Sequence, residues 1–292
     1  MADKDLFFYL KVPFLTSTVS GAISLLIYPL DLLNTVVKAS PKLNSISDTV
    51  KNVYRTEGLR GFYKGTGTLL FENFSANMIY FFLYDYLNKT LSRKYEERNI
   101  KQRWTIPMIT SFVSEIGCLF IYVPCDTVLT RMQSHSNVYR YRSLFHGVRS
   151  IVKDEGLIRL FHSSYLFIIT CLIFTTTQFS VYEWMKSYYN HTYRDKHFGL
   201  RESIAATLGS TSIAVFISNP LDTLVIKHQM TNFVLEKDQH IINIVAEEIR
   251  SMGLRTFTKG LPLRMVSINS AALALLPFYE IFRQKYGVEV DF

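Results

Sequence analysis

The sequence predicts an all-α membrane protein: six membrane-length helices with three short helices at the membrane surface between them. Three observations carry this expectation. Apolar residues make up 48% of the 292 positions and aromatics 14%, with only 13 Gly and 8 Pro, which excludes a disordered chain. Six apolar segments of about the length needed to span a bilayer lie along it. The mean hydropathy of +0.12 is low for a bundle wrapped in lipid on all sides. It fits helices that are half apolar and half polar around a watery centre.

The first apolar segment is Phe7 to Tyr28, and it runs into YPLDLLNTVVKAS, where Asp31 has no basic residue beyond it until Lys38. A carboxylate near the end of a membrane-length helix is costly unless it finds a partner or water. SISDTVKNVYRT follows, with apolar residues at three and four spacing, the pattern of a short amphipathic helix lying on the membrane. EGLRGFYKG from Glu57 leads into the second segment, Gly67 to Leu87, which closes on YDYLN from Tyr84.

The same order then recurs twice. Thr105 to Val123 precedes VPCDTVLTRMQ, SLFHGVRSIVKD, EGLIRLFHS from Glu155, the segment Ser164 to Met185, and YEWMK from Tyr182. Glu202 to Ser218 precedes NPLDTLVIKHQ, IINIVAEEIRS, MGLRTFTKG from Met252, the segment Leu261 to Phe282, and YEIFR from Tyr279. Pro29, Pro124 and Pro220 are separated by 95 and then 96 residues. Three elements in one order, three times over, define tandem repeats at 1–98, 99–196 and 197–292 of a single transmembrane domain. Soluble helical solenoids have repeats about half this long and lack aromatic runs such as MIYFFLY.

Other function classes find no support. The net charge of +8 comes from short Lys/Arg clusters between apolar segments, with no nucleic-acid-binding motif. Cys118, Cys125 and Cys171 have neither disulfide nor zinc spacing and read as small buried hydrophobes. The histidines, among them His191 and His197, show no metal-ligand spacing, and no phosphate-cradling glycine loop or G-x-S-x-G turn occurs. No enzyme, metal or cofactor is implied. MADKDLFFYLK carries acids and soon turns apolar, so no secretory signal or transit peptide is expected there.

The three copies of P-x-D, of the glycine element and of the [FY]-[DE]-x-x-[KR] element mean that nearly the whole chain resembles the mitochondrial carrier family. The resemblance implies six kinked helices in threefold pseudosymmetry around a central cavity, in the mitochondrial inner membrane, with both termini toward the intermembrane space. It implies alternating access between a matrix gate and a cytoplasmic gate. In the family the P-x-[DE] acid of one helix pairs with the basic residue three positions beyond the acid of its neighbour.

By that pattern the matrix-gate motif comprises Pro29, Asp31 and Asn34, then Pro124, Asp126 and Leu129, then Pro220, Asp222 and Val225. All three acids are present, but Asn34, Leu129 and Val225 are uncharged where cations belong. The next usually basic position keeps Arg131 and Lys227 but has Val36 in the first repeat. Unpaired carboxylates about 8 Å apart would repel by roughly 2 kcal/mol at an effective dielectric near 20, so a closed matrix gate of the usual kind is not expected. The cytoplasmic-gate motif keeps Glu183 with Lys186 and Glu280 with Arg283, while Asp85 is followed by Asn88; ordinary surface pairs are the alternative.

The family's substrate contacts lie seven and eight positions beyond the glycine element's last residue. Those counts select Glu72 and Asn73, Thr170 and Cys171, and Ser267 and Ile268, with Arg264 one turn earlier. None of the six is basic, unlike the sites of carriers for anions. Glu72 would repel an anion and could hold a proton or a cation; alternatively it simply faces water in the cavity. The resemblance further implies cardiolipin phosphates at the helix N-termini beside Lys64–Gly65 and Lys259–Gly260, and less clearly at His162–Ser163.

Two functions fit these residues. One is an atypical carrier for a neutral, zwitterionic, cationic or proton-coupled metabolite. The other is a non-transporting accessory subunit of a larger inner-membrane assembly, such as a respiratory complex, with other inner-membrane subunits as partners. Loss of the three gate cations and of any contact arginine favours the accessory role on sequence alone.

Overall fold

A computed structural model describes residues 2–40, 45–97, 105–134, 139, 141–193, 199–230, 246, 250 and 253–286; side chains are described for most of these, but not for the first turns of the chain or its last helix beyond 274. Among the described residues every regular element is helical. The long helices are α1 (Ala2–Ala39), α3 (Thr66–Glu97), α4 (Thr105–Gln133), α6 (Ser164–Thr192), α7 (Leu200–Met230) and α8 (Leu261–Tyr286). The short ones are α2 (Ile46–Glu57) and α5 (Leu144–Asp154), the first two predicted surface helices. Of the third, within IINIVAEEIRS, all but Ala246 and Arg250 lie outside the described residues.

The long helices overrun the apolar segments that foretold them. α1, α4 and α7 continue through Pro29, Pro124 and Pro220 to Ala39, Gln133 and Met230, so each P-x-D lies inside a helix rather than at its end. A bundle tolerates an interior proline because neighbouring groups satisfy the backbone carbonyl it frees. Among the described residues four stretches are long and apolar enough to cross a membrane, at Ser17–Ala39, Ile109–Gln133, Leu157–Thr192 and Arg201–Met230.

After each short helix the chain turns through a 3-10 segment, at Gly58–Tyr63, Leu157–Phe161 and, in the third repeat, Gly253–Thr258. The first residue of that turn, or the one before it, is a glycine at positive φ: Gly58, Gly156 and Gly253 at +67°, +92° and +63°. The last residue of the glycine element is again at positive φ in two repeats, Gly65 at +89° and Gly260 at +69°. At the matching place in the middle repeat, Ser163 has φ −87° and ψ 0°. The backbone there is right-handed, which is why a serine can replace the glycine.

The chain divides into two units. The first comprises residues 1–25, 65–129 and 141–161, and the second 26–64, 130–140 and 162–292. In the first unit, Gly147 of α5 lies against Val128 of α4, and Thr127 Oγ1 donates to the Leu160 carbonyl at 3.2 Å, holding the surface turn on α4. In the second, α6 lies along α7. Gln178 Nε2 donates to Thr211 Oγ1 at 3.2 Å, the Tyr182 and Ser203 hydroxyls are 3.2 Å apart, and Met185 covers Gly209. The α7 face carries the buried small polar residues Ser210, Thr211, Ser218 and Asn219, the close-packing pattern of membrane helices. Large apolar side chains such as Leu26, Phe120 and Phe216 point outward, an arrangement stable only where lipid replaces water.

Candidate functional site

In the second unit the C-terminal half of α1, the P-x-D turn of α7 and the start of α8 build a buried charged cluster. Lys38, in the last turn of α1, is 0% exposed. Its Nζ donates to Asp222 Oδ2 at 2.5 Å and to Asn219 Oδ1 at 2.9 Å. Arg264 Nε lies 3.6 Å from the same Asp222 oxygen. Ser267 Oγ donates to Asp31 Oδ1. The frame is hydrogen-bonded as well: Asn219 Nδ2 donates to the Phe257 and Lys259 carbonyls at 2.6 and 3.3 Å, and Lys259 Nζ donates to the Ser40 carbonyl at 2.7 Å. Gly260 seats this arrangement, because a Cβ there would press on Asn34 and come within 3.0 Å of Lys38 Cε.

These contacts correct the expectation of unpartnered P-x-D acids at Asp222, which is offset by Lys38 and Arg264; a buried ion pair survives only when such compensation and hydrogen bonding accompany it. Asp31 accepts the Ser267 hydroxyl and has the Asp222 carboxylate as its neighbouring charge. The cation was sought at Asn34, three residues past Asp31. It stands instead at Lys38, where the other repeats carry Gln133 and Gln229. Asn34, Leu129 and Val225 are buried, and no carboxylate is paired through any of them. Reading the three repeats against one another would have flagged Lys38 as the odd residue of its column.

The first unit holds Glu72, on α3. The side chain is not turned to water: the residue is 1% exposed. The groups acting on its carboxylate are the Tyr122 hydroxyl, which hydrogen-bonds to it, and the Asp126 carboxylate. Asn73 Nδ2 donates to Ser24 Oγ at 3.3 Å, which ties α3 to α1.

The mitochondrial carrier protein family matches the sequence three times, over residues 10–95, 101–193 and 196–289. The chain belongs to this family. Carriers are multi-pass proteins of the mitochondrial inner membrane, and the membrane-length helices here suit that location. The carrier is similar to PET8 of Eremothecium gossypii, at 25% identity over 91% of this chain and 96% of the relative. It is similar to the mitochondrial adenine nucleotide transporter ADNT1 of Arabidopsis thaliana, at 25% over 82% and 75%. It also resembles the mitochondrial tricarboxylate transport protein of Mus musculus, at 24% over 75% and 70%.

The carrier's remaining contact candidates are mostly occupied or apolar. Thr170 is buried and donates to its own helix at the Leu166 carbonyl, 2.7 Å away. Cys171 and Ile268 are half-buried, and Ser267 is committed to Asp31. At the other motif, Lys186 and Glu183 form an exposed pair at 3.8 Å within α6, the form an ordinary surface pair takes. Asp85 has Lys89, one turn on, as its neighbouring cation, and Asn88 stands between them. The side chains of Glu280 and Arg283 lie outside those described.

The three lipid candidates differ. Lys64 is part-exposed and pairs with Glu57 at 2.6 Å, while its carbonyl accepts from Tyr28. Lys259 is buried on Ser40. His162 is exposed and stacks on His228 of α7 with ring centroids 4.4 Å apart, beside the buried Ser163. Arg131, which matches the family's usually basic position, is fully buried; it donates from Nε to the Gln229 carbonyl at 2.8 Å and lies 4.8 Å from the ring of Tyr139, a residue in no motif, whose hydroxyl donates to the Met230 carbonyl.

Proposed function

We propose that this protein is a solute carrier that moves a neutral, zwitterionic, cationic or proton-coupled metabolite by alternating access, with Lys38 as the cation that closes on Asp222. The observation that carries this reading is the buried Lys38–Asp222 pair at 2.5 Å, joined by Arg264. A scaffold has no need of a charged cluster at this position, since replacing such a pair with apolar residues is commonly neutral or stabilising. A gate needs one, because an ion pair can be exchanged for contacts with bound solute. Relatives named as transporters support the same reading.

A second reading keeps the chain as an accessory subunit of a larger inner-membrane assembly. The uncharged Asn34, Leu129 and Val225 favour it. Under either reading we place cardiolipin at the Lys64–Gly65 turn, where the lysine remains accessible.

The test is uptake by purified protein in liposomes across a panel of amino acids, amines and neutral metabolites. Wild-type protein should take up at least one solute. Lys38→Asp and Asp222→Lys should each abolish that uptake, and the double exchange should restore part of it. No uptake by any solute, together with migration in mild detergent as part of a large stable complex, would favour the accessory subunit. Migration near the 33.9 kDa monomer plus micelle would sink it.

A further inference from the structure

Glu115 is an acid that none of the repeated motifs contains. It lies inside the membrane-length stretch Ile109–Gln133 of α4, nine residues before Pro124, where the other repeats carry Ser20 and Thr211. Helical spacing places Ser111, Glu115 and Tyr122 on one face of α4, and the exposed apolar Ile109, Val113, Ile116 and Phe120 on another. The acid therefore stands apart from the lipid-facing side. It is exposed, and among the described residues no hydrogen bond or ion pair reaches its carboxylate. No Lys or Arg occurs in α3 before Lys89 or in α4 before Arg131. An intramembrane acid so placed marks a ligand path rather than architecture. The facing helix brings aromatic rings to it. Leu83 of α3 lies where a Cβ on Gly117 would stand, and the hydroxyls of Tyr80 and Ser111 are hydrogen-bonded to each other. Tyr80 is thereby fixed one α4 turn from Glu115, with its hydroxyl in the field of that carboxylate. Tyr84 lies parallel to Tyr80, at 12° with ring centroids 6.2 Å apart, and both rings are only half-buried. All of these residues belong to the first unit.

We propose that Glu115, Tyr80 and Tyr84 form a site for an onium group, a quaternary or otherwise methylated ammonium. Glu115 supplies the negative charge. The two rings supply electron-rich surface for methyl groups that carry the positive charge outward and have no N–H to donate. Ser111 is a positioning residue that holds the Tyr80 ring through its hydroxyl. The site is distinct from the contact candidates, since Tyr80 lies about 12 Å along α3 from Glu72. As a selectivity element it rests on the carrier reading and narrows the solute to an organic cation; binding itself does not depend on transport.

The experiment uses the full-length protein in detergent and follows thermal unfolding against choline, its neutral isostere 3,3-dimethyl-1-butanol, and methylammonium, with sodium chloride at matched ionic strength. Choline should stabilise the protein in a saturable way, methylammonium less, and the neutral isostere not at all. Glu115→Gln should weaken the apparent choline affinity about tenfold or more. Tyr84→Leu should weaken it about two- to fivefold and narrow the preference for choline over methylammonium. Glu72→Gln should leave the choline response in place. Equal stabilisation by choline and its isostere overturns the proposal, as does a choline response unchanged in Glu115→Gln or absent from the wild type. A response kept in Glu115→Gln but lost in Glu72→Gln overturns it by assigning the cation to the family's contact position. Each of these results concerns binding alone and leaves the Lys38–Asp222 gate to its own uptake test. Conversely, uptake lost in the gate variants with choline stabilisation intact would count against the gate and not against this site.

Discussion

Asp222 receives two cations, and that asymmetry predicts unequal costs for removing the members of its cluster. Lys38→Met leaves Asp222 with Arg264 at 3.6 Å, so part of the compensation survives. Asp222→Asn leaves a fully buried lysine and a mostly buried arginine facing each other with no acid between them. Breaking a buried pair costs about 3 to 5 kcal/mol, at the lower end here because the Asp222 side chain retains some exposure. Thermal melts in detergent should therefore rank Asp222→Asn below Lys38→Met, with the double variant recovering part of the loss. A second comparison isolates space from backbone conformation. Gly253 and Gly260 both have positive φ, but a Cβ at Gly253 meets open space while one at Gly260 meets Asn34 and Lys38. Gly253→Ala should cost only the left-handed penalty of about 1 to 2 kcal/mol. Gly260→Ala should cost more and should also lose whatever uptake depends on Lys38. Equal melting shifts for the two would mean that the cluster yields easily.

At the scale of elements, period and punctuation revealed most of the architecture. Apolar runs located the six long helices, and glycines in EGLRGFYKG and its copies located the turns, because both are properties of local sequence. Helix ends were less legible. The predicted odd segments stop at or before their prolines, yet α1, α4 and α7 continue for more than two further turns, because what sustains them there is contact with other repeats. Arg131 and Tyr139 illustrate this: they cap the Gln229 and Met230 carbonyls, groups that the end of α7 leaves without helical partners. No local pattern announces such a bond, since its two ends are 98 and 91 residues apart. Lys38 is legible in the sequence as the first cation beyond Asp31, but its pairing with Asp222 is not, for the same reason: the partner is 184 residues away and Lys38 stands one helical turn past the motif position. Tyr139→Phe removes one of the two caps at a cost of about 1 kcal/mol, and Arg131→Met removes the other together with a buried charge. Hydrogen exchange should show faster opening of the last turn of α7 in both, more in Arg131→Met, with α6 protection unchanged. Loss of protection throughout α6 as well would mean that these residues hold the unit together rather than the helix end.

For the molecule as a whole, the surrounding membrane supplies the partner that the apolar surface requires. Trp184 and Tyr188, exposed and stacked with centroids 5.9 Å apart near the end of α6, suit the headgroup layer. The excess of basic residues suits anionic lipid. The three repeats cannot bind such lipid alike. Of the two lysines at these turns Lys64 is the more available: it is part-exposed where Lys259 is buried, it pairs with Glu57, and it directly precedes α3 in sequence, whose N-terminus favours negative charge. A bound phosphate would compete with Glu57 for it. Lys259 is committed to Ser40 inside the protein, and the middle repeat offers an uncharged Ser163 with an exposed His162. Cardiolipin added to delipidated protein should therefore raise the melting temperature, and Lys64→Gln should remove the larger part of that rise while changing the lipid-free value little. Lys259→Gln should do the reverse, lowering the lipid-free melting temperature through loss of the Ser40 bond and leaving most of the lipid response. An undiminished cardiolipin response in Lys64→Gln would show that the phosphate is held by backbone N–H groups without the lysine, or at another turn.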